Sequence, residues 1–218
     1  MIRVERVPGL AEVLTIFTAL FAIMNPLGTL PVFLTLTDGL SDKERRQIAA
    51  QALTIAFCIN ALFAVAGGEI LRAFGVTLPA FRIAGGILVF VIGFQMVNGS
   101  PSHIQHPTQA DRNAASTQQM SIAISPLGMP ILAGPGTITT AMNFTMGQSW
   151  GMSIATVAML AVLSLLAFLL FSFGTVIARF LGRNIMNVIT RLMGLILAVI
   201  GIQLLITGLT SAFPILAR

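Results

Sequence analysis

Asn25-Pro26-Leu27-Gly28-Thr29-Leu30-Pro31 lies inside an apolar stretch long enough to cross a membrane, and Ser125-Pro126-Leu127-Gly128-Met129-Pro130 lies inside another. Gly134-Pro135-Gly136-Thr137 follows shortly after the second. Proline inside a helix removes an amide donor and clashes with the carbonyl four residues earlier. In hydrocarbon every backbone group freed in this way needs a partner in protein or in a water-lined cavity. Interrupted apolar segments at corresponding places in two halves of a chain therefore point to a solute site at membrane depth.

The rest of the composition fits a membrane setting. The 218 residues are 56% hydrophobic and 9% charged, with a mean hydropathy of +0.94, whereas soluble domains are about 25% charged. Charge-free stretches run from Val13 to Thr37, Gln47 to Gly68, Ile83 to Gln109, Asn113 to Ala178 and Leu192 to Ala217. One crossing takes about 20 apolar residues, so the longest stretch holds two and the total is six. The first run is too long for a signal-peptide core and lacks a small-residue cleavage site after it, so it is read as a span.

The spans are placed at about Val13–Leu36, Ile48–Phe74, Pro79–Val97, a broken helix within Asn113–Met146, Met152–Phe180 and Val188–Ala212. Ser41 and Glu44 form a capping box that opens the second, and Ala52 and Ala56 give it a small-residue packing face. Trp150 sits at the headgroup level, where indole rings are favoured. A polar linker covers residues 99–119, between a first three-helix unit (1–98) and a second (120–218). Gly86-Ile87-Leu88-Val89-Phe90-Val91-Ile92-Gly93-Phe94-Gln95 aligns without gaps on Gly194-Leu195-Ile196-Leu197-Ala198-Val199-Ile200-Gly201-Ile202-Gln203. Two glycines and a glutamine at equal spacing indicate an internal duplication. Three spans per copy make the second copy enter from the opposite side. The expected fold is an all-α membrane protein of six transmembrane helices in two inverted three-helix repeats, with spans 1 and 4 broken by Pro and Gly.

Orientation follows the cations. Lys43, Arg45, Arg46, Arg112, Arg179, Arg183 and Arg191 flank loops on one side, and Arg3, Arg6, Arg72, Arg82 and Arg218 lie on the other. This places both termini on the outer, periplasmic side. The net charge of +5 is scattered singly, without a basic helix or aromatic platform, which excludes a nucleic-acid partner. Cys58 is the only cysteine, so no internal disulfide or thiolate metal site forms. His103 and His106 sit in the linker beside Pro107 and are read as solvated rather than as metal ligands. The spans hold no histidine, no paired aspartates and no HExxH pattern, so neither enzyme activity, a metal nor a cofactor is expected.

Neutral polar groups take the place of charges. Asn25, Ser125, Thr137, Thr139, Thr140 and Asn143 bring donors and acceptors to membrane depth, and Pro26, Gly28, Gly128, Gly134 and Gly136 shape the breaks. A half-helix starting after Gly136 would direct its amide end at a carboxylate, and opposing carbonyl ends would suit an ammonium. Asn25, Pro26, Gly28, Ser125, Gly128, Gly134, Gly136, Thr137 and Thr139 are the expected substrate-binding set. Gln95 and Gln203 are candidates for the pathway or for helix–helix hydrogen bonds. Glu69, the only acid near a span, is a candidate coupling group, although Arg72 one turn on favours an interfacial pair.

Three stretches carry a family resemblance. They are Asn25-Pro26-Leu27-Gly28 with Pro31-Val32-Phe33, then Phe81-Arg82-Ile83-Ala84-Gly85-Gly86-Ile87, and Pro126-Leu127-Gly128-Met129-Pro130-Ile131-Leu132-Ala133-Gly134-Pro135-Gly136-Thr137-Ile138-Thr139-Thr140. In these the chain resembles the MarC family of bacterial and archaeal inner-membrane proteins, within the LysE-type transporter superfamily. The resemblance implies six spans and transport of small neutral amino acids such as glycine and alanine. Secondary transport of such solutes, with the lipid bilayer as the other partner, is the expected function. Proton or sodium coupling and a homo-oligomer stay open. The alternative is a non-transporting structural or regulatory membrane protein of the same fold.

Overall fold

The computed structural model describes residues 8–98, 132–213 and residue 215. These form seven helices: α1 (Leu10–Met24), α2 (Pro26–Leu36), α3 (Asp42–Ala73), α4 (Leu78–Asn98), α5 (Pro135–Thr145), α6 (Trp150–Ser172) and α7 (Gly174–Ala212). No strand occurs among the described residues. Five helical stretches are long and apolar enough to cross a membrane: Leu10–Leu34, Asp42–Ala73, Leu78–Asn98, Trp150–Ser172 and Asn184–Ala212. The first of these joins α1 and α2 across their break. With 11 residues, α5 is about 16 Å long, roughly half the hydrocarbon thickness. The central linker and the lead-in to α5, with Ser125 and Gly128, fall outside the described residues.

Outward-facing side chains such as Ile154, Leu165, Val188 and Val199 are exposed and apolar, as a lipid-facing surface requires. The interior is closed by α5, in which Gly136, Thr137, Ile138, Thr139, Thr140, Ala141, Met142 and Thr145 are buried. Helices α1, α3, α4 and α6 all pack on it. On α3, Ala49, Ala52 and Ala56 are fully buried against Leu30, Phe33, Leu132 and Phe171. The small residues let the neighbouring backbones approach, and Phe33 stacks on Phe171 with ring centroids 4.5 Å apart.

Helices α4 and α7 share the most extensive contact in the protein, and glycine is the reason they can. A Cβ on Gly86 would sit 2.7 Å from the Gly201 carbonyl oxygen, and one on Gly93 2.6 Å from that of Gly194. Gly208 lies in the same way against the Pro79 carbonyl, at 3.1 Å. Residue numbers rise along one helix as they fall along the other, so the pair is antiparallel. A Cβ on Gly201 would overlap the Phe90 amide nitrogen, a backbone atom that cannot rotate aside. Gly201→Leu is therefore expected to lower the melting temperature in detergent far more than Gly68→Leu, whose new Cβ would meet only the flexible Met146 side chain at 3.5 Å. Equal melting of the two variants would contradict this packing.

The largest difference from the expected span boundaries falls in the fifth span. The fifth span ends at Ser172 rather than continuing to Phe180. Phe173 leaves the helical conformation (φ −98°, ψ 9°), and residues 174–181 form a short helical lead-in that ends at Gly182 (φ 73°, ψ 164°). Hydropathy alone could not reveal this, because the run stays free of charge through Ala178. The lead-in is held instead by packing: a Cβ on Gly174 would touch Leu30 at 2.8 Å and Leu34 at 3.1 Å.

Candidate functional site

One residue divides the first span. Asn25 adopts a left-handed conformation (φ 46°, ψ 56°), which asparagine tolerates better than other side chains. Its N–H donates to the Phe21 carbonyl at 2.9 Å and closes α1, while its carbonyl accepts from Thr29 N–H at 2.9 Å and Thr29 Oγ1–H at 2.9 Å. Its Oδ1 accepts from Gly28 N–H at 3.0 Å and caps α2. Pro26 occupies the first helical position, where no amide is needed. Gly28 has a local reason: a Cβ there would lie 2.7 Å from Asn25 Oδ1, so only glycine admits the cap.

The second half repeats this construction at Gly134-Pro135. Gly134 is the N-cap (φ −74°, ψ 166°), Pro135 again takes the first position, and again the helix has 11 residues. Proline to proline, the two half-helices start 109 residues apart, close to the 108 that separate Gly86 from Gly194. Among the described residues, the helix start that meets Asn25-Pro26 is Gly134-Pro135. The spacing of 100 between the two Pro-Leu-Gly triplets does not match that register, and the second triplet lies outside the described residues. Glycine has no side chain with which to cap, and no side-chain cap of α5 occurs among the described residues.

The two starts meet. Asn25, Gly28 and Thr29 share a cavity of about 40 Å³ with Gly134, Pro135, Gly136 and Thr137. Ile23 and Met24 from the end of α1, Leu88, Val89, Ile92 and Met96 from α4, and Leu197 from α7 complete the wall. Asn25 lies about 22 Å along the helix from the start of α1, and Pro135 about 15 Å from the end of α5. The break thus divides the first span into helices of 15 and 11 residues, and α5 is about half the hydrocarbon thickness long. Much of the wall is apolar; its polar side chains are those of Asn25, Thr29 and Thr137, beside the starts of α2 and α5 and the end of α1. Pro26 offers no N–H to the Ala22 carbonyl, so that end keeps an acceptor.

The expected site residues separate on this geometry. Asn25, Gly28, Gly134, Gly136 and Thr137 are brought together around the cavity, and Pro26 lies just behind it as the first residue of α2. Thr139 does not join them. It is fully buried, its hydroxyl donates to the Pro135 carbonyl at 2.6 Å, and it faces Gly85 of α4, whose Cβ would lie 2.8 Å away. Gly136 admits apolar neighbours: a Cβ there would overlap Val89 Cγ2 and lie 3.0 Å from Ile23 Cδ1. Neither Gln95 nor Gln203 lines the cavity. Gln203 is exposed on α7 and donates to Thr207 Oγ1 at 3.5 Å, whereas the buried Gln95 Oε1 has no partner among the described residues. Glu69 accepts from Arg72 at 2.8 Å, with both side chains more than three-quarters exposed. That pair borders a separate cavity of about 230 Å³ at the bundle end formed by the end of α3, the end of α5 and the start of α6.

Two residues matter that the sequence did not single out. Asn60, fully buried in the middle of α3, donates to the Leu132 carbonyl at 3.2 Å, holding the chain two residues before the α5 cap. A lone amide at mid-span was the available signal, but its partner is 72 residues away. Arg82, near the start of α4, donates through Nε to Asn143 Oδ1 at 2.7 Å and through Nη1 to Ser211 Oγ at 3.3 Å. It was legible only as a cation at a span end.

Comparison with known proteins agrees with this architecture. Residues 10–213 match the MarC family of integral membrane proteins. The UPF0056 membrane protein YvbG of Bacillus subtilis (strain 168) is 42% identical over 202 residues, covering 92% of this chain and 95% of that protein. A UPF0056 membrane protein of Aquifex aeolicus (strain VF5) is 37% identical, with 89% and 91% covered, and one of Methanocaldococcus jannaschii is 38% identical, with 90% and 95% covered. No solved structure matches the chain. An unbroken match across both half-helices and all five long spans makes this chain a multi-pass integral membrane protein of the MarC family.

Proposed function

We propose that this protein is a secondary transporter of small neutral amino acids, glycine- and alanine-like, which bind where the half-helices meet. One observation carries the reading: the N-terminal ends of two half-helices and the C-terminal end of a third helix converge on a single cavity. The amides of Gly136 and Thr137 suit a carboxylate, and the end of α1 suits an ammonium. Each helix end contributes about 0.3–2 kcal/mol. Val89, Ile92 and Met96 face the short side chain. A water needs about 10–15 Å³ of such space, so the present cavity admits only a few water-sized groups. It widens to load and closes around small solutes. A non-transporting scaffold would call for a packed centre, and the meeting of two half-helix starts at an open cavity speaks against it.

The six-span, inverted-repeat organisation belongs to this proposal. Under the 108-residue offset Gly86 corresponds to Gly194 and Gly93 to Gly201. The contact of Gly86 with Gly201 is then the counterpart of that between Gly194 and Gly93. Such reciprocity is what a two-fold axis produces, and it supports halves related by an axis in the membrane plane. The cation distribution supports an inner-membrane protein with both termini outside.

No carboxylate lines the cavity among the described residues, so a fixed cation buried there would cost several kcal/mol. In proteoliposomes, unlabelled glycine, alanine and serine are expected to compete with labelled alanine at least about tenfold better than lysine or arginine, since each 1.4 kcal/mol is a factor of ten. Equal competition by lysine would refute the substrate class. Absence of uptake under imposed proton and sodium gradients, and in counterflow, would refute transport.

A further inference from the structure

We propose that Arg82 is a docking site for the carboxylate of the incoming solute, and that the carboxylate displaces Asn143 to open the way to the cavity. The inference rests on the transport reading above. Arg82 stands apart from two other arginines near the bundle ends. Arg45 pairs with Asp42 at 2.9 Å and Arg72 with Glu69 at 2.8 Å, whereas the partners of Arg82 are the neutral Asn143 and Ser211. A guanidinium carries five N–H donors, so two neutral acceptors leave part of it open. Among the described residues its partners are neutral, so its charge has no counter-ion there.

Its position gives the charge a use. Arg82, at the end of the bundle that also holds Arg72, joins the start of α4 to the end of α5 and the end of α7. The same α4 and α5 wall the cavity about 10 Å deeper, at Val89 and Gly136. Between the two levels the helices touch at Gly85, whose Cβ would lie 2.8 Å from Thr139 Oγ1 and 3.3 Å from the Pro135 carbonyl oxygen. The route from this end is therefore closed by a tight helix contact with the Arg82–Asn143 bond above it. A carboxylate forms hydrogen bonds with guanidinium about twice as strong as those of a neutral amide. It therefore replaces Asn143 Oδ1, frees the end of α5 from α4, and passes inward to the amides of Gly136 and Thr137. The solute's carboxylate meets a positive group first at the rim and then at the centre.

The test is uptake of labelled alanine by purified, reconstituted protein, with KM and maximal rate measured separately. Arg82→Gln is expected to raise KM about tenfold or more, the size of a lost bond to a charged group, with the maximal rate within about twofold. Arg82→Lys recovers part of the loss. Asn143→Ala leaves KM unchanged or lowers it, because the guanidinium is then free before the solute arrives. A purely structural tie predicts the reverse, with Asn143→Ala reproducing the defect of Arg82→Gln, and that result overturns the proposal. Should Arg82→Gln fail to insert, Asn143→Ala and Arg82→Lys decide alone: a raised KM in the former, or a lost maximal rate at unchanged KM in the latter, overturns it. Wild-type uptake with an unchanged KM in Arg82→Gln rejects the docking site only, whereas absence of wild-type uptake rejects the transport reading and the docking with it.

Discussion

Gly136→Val is expected to abolish amino-acid uptake while leaving the protein inserted and folded. A Cβ at this position would overlap Val89 Cγ2 and lie 3.0 Å and 3.1 Å from Ile23 Cδ1 and Cγ1. The valine methyls would then take up much of a cavity of about 40 Å³ and push α5 away from α4. Overpacking of this kind costs about 1–3 kcal/mol, which a bundle of long spans absorbs, but the solute has nowhere to go. The double variant Gly136→Ala/Val89→Ala gives the added methyl a place and is expected to restore part of the uptake that Gly136→Ala alone loses. Uptake of labelled alanine, with size-exclusion profiles as the folding control, checks both. Normal transport by Gly136→Val would remove this cavity from the route.

Asn25 gives the second large effect, and its variants separate stability from function. Asn25→Ala loses the α2 cap and forces alanine into a left-handed conformation, together about 2–4 kcal/mol. Asn25→Gly keeps that conformation without strain and costs a few tenths of a kcal/mol for the missing cap, by the usual measure. Melting in detergent should therefore fall sharply for alanine and little for glycine, while uptake falls for both, because the Gly28 amide loses its partner and the polar wall changes. If Asn25→Gly melts as low as Asn25→Ala, the left-handed geometry is not what asparagine is there to supply.

Much of the cavity wall was legible in particular residues, and the departures from the expected grouping have physical causes. Asn25-Pro26 announced a helix end and a helix start in adjacent positions, and Gly134-Pro135-Gly136 announced another start. The triplet Pro126-Leu127-Gly128, which repeats Pro26-Leu27-Gly28 letter for letter, lies outside the described residues. Thr139 was read as a ligand donor since a hydroxyl at membrane depth needs a partner. The hydroxyl found it in its own helix, at the Pro135 carbonyl, which threonines in apolar helices commonly do. Gly28 and Gly136 belong to the expected binding set, and a Cβ at either would meet a near neighbour, the Asn25 cap in one case and Val89 in the other.

By itself the sequence determined that the chain resides in a membrane, that its first span breaks at Asn25-Pro26, and that few charges are available at depth. These follow from composition and local backbone chemistry, which act over a few residues. Only the tertiary structure decided which groups face each other. It brought the α2 and α5 starts to one cavity, placed Gly93 on Gly194, passed Thr139 to α4, and set Arg82 against Asn143 and Ser211. Those pairings depend on helix rotation and approach over separations of tens to more than a hundred residues, and apolar spans without charge patterns carry no local record of which face turns inward.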